Sequence, residues 1–199
     1  MNLPNKISLT RILMIPVFVL TFFLEGMLPF NYGISAIVFA IAACTDFIDG
    51  HIARSRGLVT NLGKFLDPIA DKVLVSTAML LLLTMKESLF GILEGLSGVI
   101  YLAVTVCTCI IMARELIISA FRQIAAANGL VLAAEKLGKY KATFQDIAIF
   151  VLIFAADISG KVGVIILWIG LVLFAIATVL TIWSGISYVV KNKQVLKDE

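Results

Sequence analysis

Charge is scarce in this sequence. Only 15% of its 199 residues are Asp, Glu, Lys or Arg, against 61% hydrophobic, and mean hydropathy is +1.06. A soluble domain carries about 25% charged residues, so these values exclude one and indicate an integral membrane protein. Histidine is nearly missing. His51 is the only one, and together with the scarcity of cysteine it leaves no Cys and His cluster for structural zinc. Cysteine is limited to Cys44, Cys107 and Cys109, all within apolar runs. An odd count without an extracellular pattern excludes a disulfide framework and leaves them as packing residues. Internal repeats and acids dispersed over several apolar runs, both expected of many transporters, are lacking too.

What is present is a series of apolar runs, each about the 20 residues needed to cross the hydrocarbon of a bilayer. Six are expected, near residues 8–25, 32–53, 66–85, 92–123, 142–157 and 162–190, in a single all-α membrane domain spanning residues 1–199. The opening MNLPNKISLTR is too polar for the bilayer interior and reads as a short amphipathic segment at the interface. Pro16 inside the first run and the absence of a small-x-small site favour a retained helix over a cleaved leader. Fourteen of the 16 basic residues fall on one side of this topology, leaving Lys86 and Lys161 opposite. The positive-inside rule places both termini and that side in the cytoplasm. Trp168 and Trp183 read as lipid-facing or interface anchors, and Asp157 as a solvated loop residue.

The acids, by contrast, are concentrated. Residues 46–71 read DFIDGHIARSRGLVTNLGKFLDPIAD and hold Asp46, Asp49, Asp67 and Asp71 between two apolar runs. On helices, Asp46, Asp49, Gly50 and Ala53 fall at i, i+3, i+4 and i+7, one face of one helix. Gly63, Asp67 and Asp71 recur every four residues, one face of the next. An ionised Asp near the membrane core costs roughly 2.5 to 3.5 kcal/mol, so four in one stretch need compensation. Carboxylates suit hard divalent cations such as Mg²⁺, Mn²⁺ or Ca²⁺, and Mg²⁺ commonly works with phosphates. A solvated loop with its acids paired to Arg54, Arg56, Lys64 and Lys72 would not need helical spacing. His51 sits at a spacer position and reads as a surface residue.

This stretch resembles, without a mismatch, the signature of the CDP-alcohol phosphotransferases: D-x-x-D-G-x-x-A-R, eight spacers, then G-x-x-x-D-x-x-x-D. The resemblance implies transfer of a phosphatidyl or similar group from a CDP-linked donor to an alcohol, with release of CMP, in a membrane-embedded and metal-dependent site. It implies two divalent ions, Mg²⁺ or Mn²⁺, held in shared fashion by Asp46, Asp49, Asp67 and Asp71. Asp71 would be the general base. The CDP donor would lie against Asp49, Gly50, Ala53, Arg54 and Gly63, with Gly50 and Ala53 leaving room for cytidine.

A second stretch, residues 114–145, reads RELIISAFRQIAAANGLVLAAEKLGKYKATFQ. Arg114, Arg122, Lys139 and Lys141 cluster near the same interface, and Asn128-Gly129 marks a helix end or turn. Such cations suit a phosphate-bearing acceptor, since guanidinium grips phosphate oxygens bidentately. The competing reading is a basic patch for anionic lipid headgroups. With the opening NLPNKISLTRILMIP, this block resembles the glycerol-3-phosphate phosphatidyltransferase branch of the family. That implies CDP-diacylglycerol and glycerol 3-phosphate as substrates, a homodimer among membrane lipids, and no nucleic-acid partner. Arg114, Arg122, Lys139 and Lys141 would bind the acceptor phosphate, with Thr10 and Arg11 as second choices. Acceptors such as serine, inositol phosphate or phosphatidylglycerol define the nearest alternative, and a divalent-cation transporter the more distant one.

Overall fold

In a bilayer every backbone N–H and C=O must find its partner within the segment, so long apolar runs fold as helices. The computed structural model describes residues 3–55, 61–93, 95–130, 132 and 136–196, with the side chains of 3–7, 46–55, 61–62, 64–65, 67, 136 and 196 left undescribed. Among the described residues the regular structure is entirely helical. The six long helices are α1 (Leu3–Phe23), α2 (Asn31–Ser55), α3 (Asn61–Thr84), α4 (Ser97–Ala127), α5 (Lys136–Ala155) and α6 (Gly160–Lys191). A π-helical turn, Lys86–Phe90, precedes α4, and a 3₁₀ turn, Lys193–Leu196, follows α6. By length and apolarity α4 and α6 are each sufficient to cross a membrane.

Two boundaries matter for the site. Helices α3 and α5 begin at residues 61 and 136 rather than at 66 and 142, because their polar first turns are helical as well. The positions of Gly63, Asp67, Lys139 and Lys141 are therefore on helical backbone. The opening segment expected at the interface is likewise continuous with the first apolar run, as one helix from Leu3.

Neighbouring helices alternate in direction. In the α1–α2 hairpin, Ser35 Oγ donates to Thr21 Oγ1 (2.9 Å) near the turn and Arg11 Nε donates to Thr45 Oγ1 (3.3 Å) at the open end. Helices α4 and α6 run the same way, since Arg114 meets Ser184 and, two turns on, Arg122 meets Tyr188. Asp71, Arg114 to Arg122 and Lys139 to Lys141 are thereby gathered at one end of the bundle. The α1–α2 and α5–α6 turns lie at the other, where Phe30 packs edge-on to Phe154 at 5.4 Å.

The expectation of a solvated Asp157 is corrected here. Its Oδ2 accepts a hydrogen bond from the Gly33 backbone N–H at 2.7 Å. The first turn of α2 leaves N–H groups with no partner inside the helix, and the carboxylate from the α5–α6 turn satisfies one of them. Helix α4 ends as the Asn128-Gly129 pair suggests. Gly129 has φ +71°, Leu130 N–H bonds Ala125 C=O (2.8 Å) and Gly129 N–H bonds Ala126 C=O (3.1 Å), a Schellman cap.

The core joins α1 to α3, α5 and α6 through Phe18, Phe39, Leu74, Leu82, Ile149 and Phe174. Close helix contact falls at Gly170, against Leu152 and Val151, and at Gly185, against Arg114, while Gly95 and Gly98 face open space. The outward side of α6 is a continuous apolar stripe, with Trp168 and Trp183 both exposed along it. Such a surface on a helix this long is a lipid-facing one.

Candidate active site

Helices α3, α4 and α5 converge around Asp71. The helical repeat sets which residues meet: Glu115, Ser119 and Arg122 share one face of α4, and Gly138, Lys141, Ala142 and Gln145 share one face of α5. Between these faces and α3 lies an open groove of about 550 Å³, lined by Pro68, Asp71, Lys72, Arg114, Glu115, Ser119, Arg122, Lys139 and Lys141, among others. A more enclosed cavity of about 110 Å³ adjoins it and shares Asp71, Lys72, Glu115, Lys141 and Ala142. Its remaining wall is formed by Val75, Ser76, Met79, Met112, Leu116, Gln145 and Asp146. Asp71 is thus exposed at the junction of a polar groove and a mostly apolar cavity.

The described groove holds five cations against two carboxylates, Asp71 and Glu115. Two of the cations are committed. Glu115 Oε1 accepts from Lys141 Nζ at 2.6 Å and from Arg114 Nη1 at 3.0 Å, and Arg114 Nη2 also donates to Ser184 Oγ at 3.1 Å. Lys141 is only 5% exposed, and desolvated charge of this kind is tolerable only when paired. Glycine at 185 admits the Arg114 stem, because a Cβ there would lie 3.1 Å from Arg114 Cγ. Lys72 Nζ donates to Ser119 Oγ, which in turn donates to the Glu115 carbonyl at 2.5 Å. The result is one polar network tying α3, α4, α5 and α6 together.

Arg122 and Lys139 are placed differently: both are exposed in the groove. Arg122 Nε donates to Tyr188 Oη at 3.2 Å, and the guanidinium lies 5.2 Å from the Tyr188 ring centroid. That clamp fixes the plane of the guanidinium and adds a cation–π contact.

Of the residues expected from the sequence, Asp71, Arg114, Arg122, Lys139 and Lys141 are brought together in this groove. Thr10 and Arg11 line neither it nor the cavity. Arg11 is fully buried on α1, bonded to Thr45 of α2. Gly63 is buried in the first turn of α3. Asp46, Asp49, Gly50, Ala53 and Arg54 lie on α2 and Asp67 on α3, and their side chains are outside the described residues. Sequence reasoning gave no site role to Lys72, Ser119 or Gln145. The i, i+4, i+7 spacing of Glu115, Ser119 and Arg122 was the available signal for Ser119.

The four acid positions supply the donor chemistry that a hard divalent cation takes. Helices α2 and α3 carry all four acid positions on helical backbone, so the three- and four-residue offsets keep each pair on one face. Asp71, the one of the four whose side chain is described, is exposed at the groove. Carboxylate oxygens are the donors that hard divalent cations take.

Residues 1–183 match the protein family described as CDP-alcohol phosphatidyltransferase. Curated relatives agree along nearly the whole chain. The CDP-diacylglycerol–glycerol-3-phosphate 3-phosphatidyltransferase of Bacillus subtilis is 35% identical, with 98% of this chain and 97% of the relative aligned. The proteins of the same name from Rickettsia felis and Salmonella typhimurium are 37% and 36% identical, covering 94% and 100% of this chain and 93% and 98% of their own lengths.

Proposed function

This chain belongs to the CDP-alcohol phosphatidyltransferase family, and from that premise we propose that it transfers the phosphatidyl group of CDP-diacylglycerol to sn-glycerol 3-phosphate, giving phosphatidylglycerophosphate and CMP. The relatives' shared name supports the substrates. The observation that carries the acceptor assignment is the groove in which Asp71 shares a surface with exposed Arg122 and Lys139. An acceptor bearing its own phosphate needs that excess of cation. Serine does not.

In this reading the 1-hydroxyl of glycerol 3-phosphate attacks the phosphorus that bears diacylglycerol. A new P–O bond forms as the bond to CMP breaks, and CMP leaves as the anion. Asp71 takes the hydroxyl proton, a role its exposure at the groove allows. Arg122 and Lys139 hold the acceptor phosphate, while Arg114 and Lys141, which share the single Glu115 carboxylate and keep one positive charge over, border it and hold the α4–α5 wall in place. Asp46, Asp49, Asp67 and Asp71 would hold divalent metal, Mg²⁺ or Mn²⁺, and the CDP moiety would lie against Asp49, Gly50, Ala53, Arg54 and Gly63. The metal, when bound, would neutralise the donor pyrophosphate and the departing CMP.

The six long helices would each cross the membrane, in a homodimer with both termini and the groove in the cytoplasm. The concentration of cations at the groove end supports that orientation. The test is CMP release by purified protein in detergent with CDP-diacylglycerol, Mg²⁺ and one acceptor at a time. Release with glycerol 3-phosphate alone is expected. Release instead with serine, inositol phosphate or phosphatidylglycerol would overturn the acceptor assignment, and no release with any acceptor would overturn the transferase reading.

A further inference from the structure

Gln145 is a buried amide that the reaction as described above does not use. It projects from α5 one turn beyond Lys141 and is 2% exposed. Its Oε1 has no hydrogen-bond partner among the described residues. A buried carbonyl oxygen with nothing to accept is destabilising, and native interiors seldom leave one without a purpose. The same residue lines the enclosed cavity next to the groove, together with Asp71. Unlike Glu115 or Ser119, it takes no part in the polar network that ties the helices together.

The position matters because of what Asp71 and Lys141 bracket. Both line the groove and the cavity, so the two spaces meet there, and in the proposed binding mode an acceptor with its phosphate in the groove on Arg122 and Lys139 would direct its carbon end towards the cavity. Glycerol 3-phosphate has two hydroxyls there. One gives its proton to Asp71 and attacks. The other, on C2, enters a mostly apolar cavity and needs a partner. Ser76, Gln145 and Asp146 are the polar side chains of its remaining wall, and among them Gln145 is the one whose buried oxygen has none among the described residues. An amide suits a hydroxyl, since it offers both an acceptor oxygen and N–H donors.

We propose that Gln145 is a specificity-determining residue that hydrogen-bonds the C2 hydroxyl of the acceptor and so fixes which hydroxyl faces Asp71. This rests on the acceptor assignment above. A site built to pair with a substrate hydroxyl discriminates against the analogue lacking it, because its own polar group is then left unpaired. A hydrophobic pocket would not discriminate in that way.

The experiment compares glycerol 3-phosphate with 3-hydroxypropyl phosphate, which lacks only the C2 hydroxyl, measuring kcat/KM in the wild type and in Gln145→Met and Gln145→Glu. Wild type is expected to prefer glycerol 3-phosphate by about tenfold or more. Gln145→Met should lower activity with glycerol 3-phosphate, leave 3-hydroxypropyl phosphate nearly unchanged and bring the ratio close to one. Gln145→Glu, which keeps an acceptor oxygen, should retain part of the preference. Equal use of both acceptors by the wild type would overturn the proposal whether or not the variants fold. So would equal loss on both acceptors in Gln145→Met, the signature of a structural role. Failure of the acceptor assignment is distinct: wild type would then release no CMP with glycerol 3-phosphate.

Discussion

Lys141 Nζ lies 2.6 Å from Glu115 Oε1, so α5 is joined to α4 by an ion pair at the rim of the groove that Asp71 occupies. Glu115 also takes Arg114 at 3.0 Å. A single carboxylate is therefore shared by two cations in an apolar bundle, which leaves one positive charge over and ties two walls of the site together.

Breaking that pair from one side should be costly, and from both sides less so. Fully buried pairs lose 3–5 kcal/mol when one partner is removed, and Glu115→Ala should lose somewhat less, about 2 kcal/mol, because its side chain is 28% exposed. Lys141→Ala should lose a comparable amount. The double variant should be more stable than the sum of the two losses implies, which thermal unfolding in detergent can measure as a double-mutant cycle.

Arg122 and Lys139 should act on the acceptor alone. Each replacement by Ala removes a charge-assisted contact, and the KM for glycerol 3-phosphate should rise about 10- to 100-fold while that for CDP-diacylglycerol stays near the wild-type value. Arg122→Lys should recover only part of the loss, since lysine cannot hold the planar clamp on Tyr188. A matching rise in both KM values would contradict the assignment.

Asp157 provides a control at the opposite end. Asp157→Ala removes the acceptor for the Gly33 N–H, 2.7 Å away, and should cost about 1 kcal/mol of stability. The rate of CMP release per folded molecule should not change.

Metal removal tests the four acids as a set. EDTA should abolish CMP release, and added Mg²⁺ or Mn²⁺ should restore it. Asp46→Asn and Asp67→Asn should each raise the Mg²⁺ concentration needed for half-maximal rate. Full activity in EDTA would contradict a metal-dependent site.

Much of this was legible before any coordinates. Apolar runs of the right length marked all six long helices, and the four-residue offset placed Asp67 and Asp71 on one helical face, because bilayer and helix geometry are local constraints. Pairing is not local. Lys141 and Arg114 read as phosphate ligands in sequence and do line the groove, but that both are also bonded to Glu115 is set by how α4, α5 and α6 pack. Arg11 looked like an interfacial cation and is fully buried against α2. Asp157 lay in a turn and caps a helix more than 120 residues earlier in the chain. Gln145 closed a recognised block without drawing notice, since an unpaired buried oxygen is visible only once its neighbours are known.

The most direct measurement is phosphatidylglycerophosphate formation from CDP-diacylglycerol and glycerol 3-phosphate by purified wild type and Asp71→Asn, side by side. Wild type should form one product molecule for each CMP released. Asp71→Asn should unfold at a similar temperature and still bind CDP-diacylglycerol, but turn over about 10²- to 10⁴-fold more slowly, the range a general base supplies. A folded Asp71→Asn protein working at close to the wild-type rate would contradict the role of Asp71 as the base on which this mechanism turns.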